Sequence, residues 1–411
     1  MTGGLSSRVF RLTVERAAKD DKHWSLALGL IVAGNVIANL GTGFENVLGV
    51  PQILVSIVAK GIILLSLAVC VPSFIRKRNF KSVLLLVLSV FFISLLNLLA
   101  FSANNSYFLM VLSDFVTLSL PVCICVLMID DFDIALKALN DVSVALACVL
   151  SFVLIVYGGS FFSNYNMGLS GALIIPIDVL LLYALKYEND RRRKALGIVL
   201  AATLFFSVLF YGSRGALVSV VVFLVVLLFR GGVSSRKEFI VKLAIIALTV
   251  GVVACSGSIV DRVATIARDA GFQSRSLAML EHGTALQDSG RSNIQGKVLN
   301  DLELDPFAVR GVASTFVVSG DYSHNVVLDL WHNLGVVLGS IALLAIAALG
   351  IRTIRSPENC KNDIALVLFL TFFPQALWSG YIFSSTSFWP WVLLEVRKLP
   401  VDAPSHGVVP R

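Results

Sequence analysis

One arginine departs from the charge pattern that neighbouring turns of its kind obey. Arg214 stands in the tight turn Tyr211-Gly212-Ser213-Arg214-Gly215, between two apolar blocks. Gly212 and Gly215 leave the backbone bare beside it, so a ligand can approach closely. A guanidinium binds phosphate bidentately and never loses its charge. Arg214 is therefore a candidate anion-binding residue, the alternative being an arginine that snorkels to a membrane interface. His324, in Tyr322-Ser323-His324-Asn325, is one of five histidines. An imidazole titrates near pH 6.5, so it can serve as a base or as a neutral hydrogen-bonding group. The alternative is a hydrogen-bonded structural histidine. His332 lies two turns further on, and Gly335 and Gly339 after it allow close helix packing.

Three ionisable residues, Lys60, Asp114 and Asp178, interrupt otherwise apolar blocks. A charge at a bilayer centre costs roughly 2.5–3.5 kcal/mol on insertion scales, so such groups face a cavity or each other. Lys60 either pairs with Asp114 or Asp178 and fixes the bundle, or it meets a phosphate. A polar stretch from about Gly257 to Ser323 adds Arg262, Arg268, Arg275, Arg291, Lys297 and Arg310, interleaved with acids such as Asp301 and Asp321. Composition alone makes these solvated surface charges and selects none of them. The chain has no GxxxxGK[ST] phosphate loop, no HExxH zinc motif and no GxSxG elbow. Its six cysteines fall in or near apolar blocks or in a turn assigned to the cytoplasm, so neither a disulfide framework nor a metal site is expected.

The elements that must position these residues are membrane spans. Hydrophobic residues make up 57% of the 411-residue chain and charged residues 14%, with a mean hydropathy of +0.86. Soluble domains carry about 25% charged residues. The apolar residues come in blocks of bilayer-crossing length, near 25–41, 52–75, 82–100, 107–129, 141–158, 168–186, 195–211, 215–230, 238–255, 325–351, 363–382 and 386–396. The last is short and rests on the aromatic cluster Phe388-Trp389-Pro390-Trp391. Alternate turns hold Arg76-Lys77-Arg78, Arg191-Arg192-Arg193-Lys194, Arg236-Lys237, Arg352 with Arg355 and Lys361, and Arg397-Lys398, whereas 42–49, 102–106 and 158–166 hold no Lys or Arg. The positive-inside rule then places both termini in the cytoplasm. The net charge of +7 is spent on orientation and implies no nucleic-acid partner. The expected fold is all-α, a polytopic bundle of about twelve spans with one large extracytoplasmic loop between spans 9 and 10. Its segments are a cytoplasmic 1–24, spans 1–9 over 25–255, the loop 256–324, spans 10–12 over 325–396, and a cytoplasmic tail 397–411.

Several short motifs occur in order along residues 165–350: Gly212-Ser213-Arg214-Gly215, Ser289-Gly290-Arg291, Pro306 to Gly311-Val312, and His324-Asn325 followed by Leu328 and Gly335. In that order the chain resembles the O-antigen ligase and polymerase family, bacterial membrane glycosyltransferases of about twelve helices with a large extracytoplasmic loop. Gln273-Ser274-Arg275-Ser276-Leu277 looks more like the polymerases of capsules and exopolysaccharides. The family often has Gly-x-Gly after the loop proline, where this chain reads Gly311-Val312-Ala313. The resemblance implies a bacterial inner-membrane enzyme acting at the extracytoplasmic face without metal or cofactor. Its donor would be an oligosaccharide on polyprenyl diphosphate, and membrane lipid, a flippase and a chain-length regulator would be its partners. By the same analogy Arg214 and Arg291 hold the diphosphate and His324 lies near the acceptor hydroxyl. Arg275, Arg310 and Lys60 are further candidates for contact with diphosphate or glycan. Polymerisation of repeat units into a surface polysaccharide is the leading expectation. Ligation of a finished glycan to a lipid or protein is the nearest alternative, and a lipid-linked oligosaccharide flippase belongs to a different class.

Overall fold

A computed structural model describes residues 3–77, 79–161, 166–211, 214–230, 290–378 and 380–397, with isolated positions between 240 and 269. Among these residues all regular structure is helical. The helices are α1 (Gly3–Asn39), α2 (Gly41–Leu48), α3 (Gln52–Phe74) and α4 (Phe80–Ala100), then α5 (Ser102–Met128) and α6 (Phe132–Phe161). They continue with α7 (Met167–Tyr187), α8 (Arg191–Tyr211), α9 (Arg214–Arg230), α10 (Arg291–Leu304), α11 (Ser314–Ser319), α12 (Val326–Arg355), α13 (Cys360–Trp378) and α14 (Phe388–Val396). Seven described helices are long and apolar enough to cross a membrane, or eight if the bent pair Ala18–Asn39 and Gly41–Leu48 counts as one span. The chain is a helical membrane protein. On α3 and α4 large apolar side chains such as Leu64, Leu65, Phe91 and Leu99 lie more than 60% bare, which only a lipid solvent makes favourable.

The expected ninth span (238–255), most of the expected loop before residue 290, Arg275 and the tail beyond residue 397 lie outside the described residues. The described part of that loop is built, not irregular: α10 and α11 lie within it.

Polar contacts sort the helix ends into two groups. At one end Lys77 pairs with Asp21 and, at 3.2 Å, with Asp130. Arg397 reaches Asp130 at 2.5 Å, and Lys361 donates to the Arg397 carbonyl at 2.9 Å. Buried Asp363 there accepts from Arg230 (2.8 Å), Lys186 (2.7 Å) and Tyr187. Those contacts gather Lys77, Lys186, Arg230, Lys361 and Arg397 at one end. At the opposite end Asn166 donates to the Asn39 carbonyl at 2.6 Å, and Asn104 donates to the Arg310 carbonyl at 2.7 Å. The two ends of the bundle thus differ in character, one charged and the other built on amides.

The last element departs from the expected span over 386–396. α14 has nine residues, about 14 Å of helix, half of a roughly 30 Å hydrocarbon layer. Its end lies at the Asp363 end of the bundle, because Glu395 accepts from Thr353 and Arg397 caps the carbonyls of Val126 and Ile129. Its start therefore lies near mid-depth. The segment before it is irregular, with a short 3₁₀ turn at Ile382–Ser384. Ser119, in the middle of α5, donates to the Ser384 carbonyl at 3.0 Å. Non-helical backbone at such depth persists only where it is buried in protein or lines an aqueous cavity.

Candidate functional site

The site begins with a break in a helix. Gly335 interrupts α12 at φ 76°, ψ 157°, a conformation essentially closed to residues with a side chain. The break leaves the Asn333 carbonyl without its helical donor, and the N–H groups of Arg310 (3.1 Å) and Gly311 (3.0 Å) take that place. The Val336 N–H donates to the Pro306 carbonyl at 2.8 Å. Residues 306–311 thus plug the gap in α12. A methyl group on Gly335 would stand 2.7 Å from the Phe307 carbonyl oxygen, and one on Gly311 would stand 2.4 Å from the Phe101 ring. Side chains distant in sequence finish the seam. Asn97 accepts from the Val312 N–H at 2.8 Å, and Tyr381 accepts from the Ala313 N–H at 3.1 Å. Ala313 adopts φ 68°, a left-handed backbone, and its methyl group is buried.

A buried polar chain locks α10 onto α12. His332, fully buried, has Nδ1 2.7 Å from Ser314 Oγ and Nε2 2.9 Å from Asp301 Oδ2. Ser314 Oγ also lies 2.9 Å from Asn333 Oδ1, so its one hydroxyl proton is shared between the amide oxygen and the imidazole nitrogen. Asp301 also receives Arg310 Nε at 3.0 Å. Ser, His and Asp are the residue types of a nucleophilic triad, but Ser314 is 4% exposed. The chain instead ties the α10 helix to the plug. Gln295 adds a second tie, donating to the Ser323 carbonyl at 3.2 Å. Asp301, Ser314, Asn97, Asn104 and Tyr381 were not singled out by sequence; their roles are set by partners that tertiary packing brings together.

Those ties fix Arg291, the first residue of α10, which follows Gly290 at φ 89°. Its charge acts directly on His324. His324 sits just before the cap of α12, where Asn325 Oδ1 accepts from Val327 at 2.9 Å, and it adopts φ 55°. Its ring lies 4.1 Å from that of Tyr322. Nδ1 is buried without a hydrogen-bond partner, and Nε2 is 3.7 Å from Asp321 Oδ2. Burial, then the Arg291 charge, hold the imidazole pKa below its ordinary value, while Asp321 pulls it the other way. The ring is neutral near pH 7, suited to accept a proton or a hydrogen bond.

The other sequence candidates divide. Arg214 opens α9, and its side chain lies outside the described residues. Two residues on, Ala216 packs in one cluster with Leu169 and Ala172 of α7. Arg310 is committed to the fold: besides Asp301 it donates to the carbonyls of Asp301 and Asp305, both at 2.9 Å, and Ala308 at 3.3 Å. Its guanidinium secures the plug and is not left free for a ligand. Lys60 is exposed on the lipid-facing α3, within electrostatic reach of Asp114. Asp178 has a different neighbour. Fully buried on α7, it faces the Thr371 hydroxyl of α13, and neither group has a further hydrogen-bond partner among the described residues.

A cleft of about 300 Å³ opens where α1, α7, α13 and the irregular 380–387 segment meet. Its polar wall includes Asn35, Thr371, Gln375, Ser385, Thr386 and Ser387. Tyr322 and Tyr381 also line it, and the His324 ring packs on Tyr322. Gly168, Gly171 and Gly380 bring bare backbone to the surface. None of the described residues lining it is charged. Among the described residues no group of His, Cys, Asp and Glu could hold a metal ion. Beneath it a narrow apolar cavity of about 30 Å³ shares Asn35, Ala172, Ile175 and Thr386. The chain matches no protein-family model, no curated protein and no solved structure.

Proposed function

We propose that the chain is a membrane glycosyltransferase that polymerises polyprenyl-diphosphate-linked oligosaccharide repeat units at the extracytoplasmic face. One observation carries the reading: His324, under the Arg291 charge, packs on Tyr322, which lines an uncharged, hydroxyl-rich cleft that reaches mid-depth in a lipid-facing bundle. Arginine chemistry suits a diphosphate, the cleft suits sugar hydroxyls, and the lipid-facing helices suit a polyprenyl chain. The order of motifs along the sequence adds Arg214, at the same end of the bundle, to the diphosphate site. In this reading about twelve spans place both termini and the Asp363 end in the cytoplasm.

A hydroxyl oxygen of the acceptor sugar attacks the anomeric carbon of the donor. The bond from that carbon to the phosphate oxygen breaks, and the diphosphate leaves with the electron pair. Arg291 and Arg214 stabilise the charge gathering on the leaving group, an interaction whose loss typically slows a reaction about 100–1,000-fold. His324, neutral before reaction, receives the hydroxyl proton, a contribution of about 100–10,000-fold.

The test uses purified protein in liposomes with a lipid-linked repeat unit as substrate. Arg214→Ala, Arg291→Ala and His324→Ala are compared at matched protein. The expected wild-type product is a ladder of repeat lengths, lost in both arginine variants. Near-normal activity in both would end the mechanism. A single conjugate with no ladder would make the enzyme a ligase, and lipid movement without a new glycosidic bond would make it a transporter.

A further inference from the structure

We propose that the cleft between α1, α7, α13 and residues 380–387 is a binding subsite for an uncharged sugar, with Thr371 on its wall and Asp178 behind Thr371. The inference rests on the glycosyltransferase reading for the identity of the substrate and on the following observations for the site itself.

The first is depth. Thr371 lies eleven residues into α13 from Cys360, about 16 Å along the helix. Ser384, tied to the middle of α5, is equally deep. A polar wall at that level is costly in a membrane protein unless it faces water or a ligand. Discontinuous helices at mid-depth are where membrane proteins place binding sites, because an interrupted helix presents backbone groups to a ligand. The half-helix α14 with its irregular approach is such an element.

The second is a set of hydrogen-bonding groups with capacity to spare. Thr371, 4% exposed, lines the cleft, and its hydroxyl faces the fully buried Asp178 carboxylate, whose remaining lone pairs have no donor among the described residues. Orphaned buried polar atoms point to a missing water, ion or ligand. A sugar hydroxyl donating toward this pair, directly or through one water, supplies what they lack. Gln375 spends Nε2 on the Thr371 carbonyl at 3.0 Å, and its Oε1 faces Gly171, 3.1 Å from where a methyl group would stand.

The third is shape and chemistry together. Ligand pockets start at about 300 Å³, the size of this cleft. Amides and hydroxyls match the alternating donors and acceptors of a sugar ring, and Tyr322 and Tyr381 offer aromatic faces to its C–H side.

The experiment measures saturation-transfer NMR from the protein in lipid nanodiscs free of sugar-headed detergent. The probes are methyl glycosides of neutral hexoses and N-acetylhexosamines, which carry hydroxyls but no diphosphate. At least one probe is expected to bind the wild type. Gln375→Ala and Asp178→Asn are each expected to weaken that probe about tenfold, as loss of one or two buried hydrogen bonds does. Gly171→Val, which fills the cleft, should abolish binding. An unchanged thermal melt in Gln375→Ala keeps the result interpretable if the valine variant fails to fold. No binding of any probe to the wild type, or equal binding in the wild type and Gln375→Ala, overturns the subsite. Arg291→Ala should lose transfer but keep methyl-glycoside binding. If wild-type protein binds the glycosides in the cleft yet makes no glycosidic bond, the sugar site stands and the transferase reading falls.

Discussion

His324 has three influences on its proton, and two act in the same direction. Burial disfavours the imidazolium, the Arg291 charge disfavours it further, and Asp321 favours it from 3.7 Å. The net result is a pKa below the ordinary 6.5. Transfer that uses the neutral ring should therefore be level through neutral pH and fall only on acidification. Arg291→Ala removes the second influence, so the His324 pKa should rise toward its ordinary value. Asp321→Asn should move it the other way. A ¹³C-histidine NMR titration of the three proteins reads the shift without requiring turnover, and an unmoved His324 resonance in Arg291→Ala would separate the two residues. The stability sign follows from the same depression. The unfolded chain binds this proton more readily, so the His324 contribution is complete above the unfolded pKa and is lost as pH falls toward the folded one. Sequence could rank His324 because an imidazole between a polar stretch and an apolar block is unusual. Composition could not rank Arg310 against Arg291, since both are loop arginines until partners are known; only the resemblance put Arg291 first. Asp301 and three backbone carbonyls occupy the one, whereas the other leads a helix toward an imidazole.

Two elements matter most to the site, and each is an interrupted helix. α12 is apolar from Val326 to Arg355 and passes as one span by hydropathy. Counting apolar residues is blind to a single φ/ψ pair, so nothing in the composition shows that Gly335 opens the helix to the 306–311 plug. The last span was legible as short and aromatic. That the chain descends to mid-depth as irregular backbone before α14 was not, because Ser119 and Ser384, whose contact fixes the depth, are 265 residues apart. The plug makes a direct test. Gly335→Ala meets both a left-handed backbone and a carbonyl 2.7 Å from the new methyl group. Strain of this kind costs about 2–4 kcal/mol. The variant should melt well below wild type in nanodiscs and lose transfer with it. Gly296→Ala, on α10 with open space where the methyl group would go, should melt at or slightly above the wild-type temperature, since alanine is the better helix former by about 1 kcal/mol. Equal melting of the two variants would remove the break in α12 as a structural requirement.

At the scale of the molecule, charge is distributed by end. Salt bridges and carbonyl caps built on Lys77, Lys186, Arg230 and Arg397 tie one end together, with Asp363 fully buried among its partners. Removing one partner of such a buried cluster leaves the others uncompensated and costs about 3–5 kcal/mol. Asp363→Asn should therefore lower the melting temperature sharply, and adding Arg230→Met should recover part of the loss, because the stranded cation is then gone too. Recovery by the second substitution separates a charge effect from simple disruption; no recovery would show that Arg230 is not held by Asp363. The same distribution orients the protein. Lysine and arginine near span ends favour the cytoplasmic side, so the expected orientation has the Asp363 end inward and the cleft outward. In a variant with the six native cysteines replaced, Ser106→Cys at the cleft end and Glu188→Cys at the Asp363 end report this directly. A membrane-impermeant maleimide applied to intact spheroplasts should label Cys at 106 and leave 188 unlabelled until the membrane is opened. The reverse pattern would invert the bundle and place the cleft, with Arg291 and His324, on the side where a donor displayed on the outer leaflet cannot reach it.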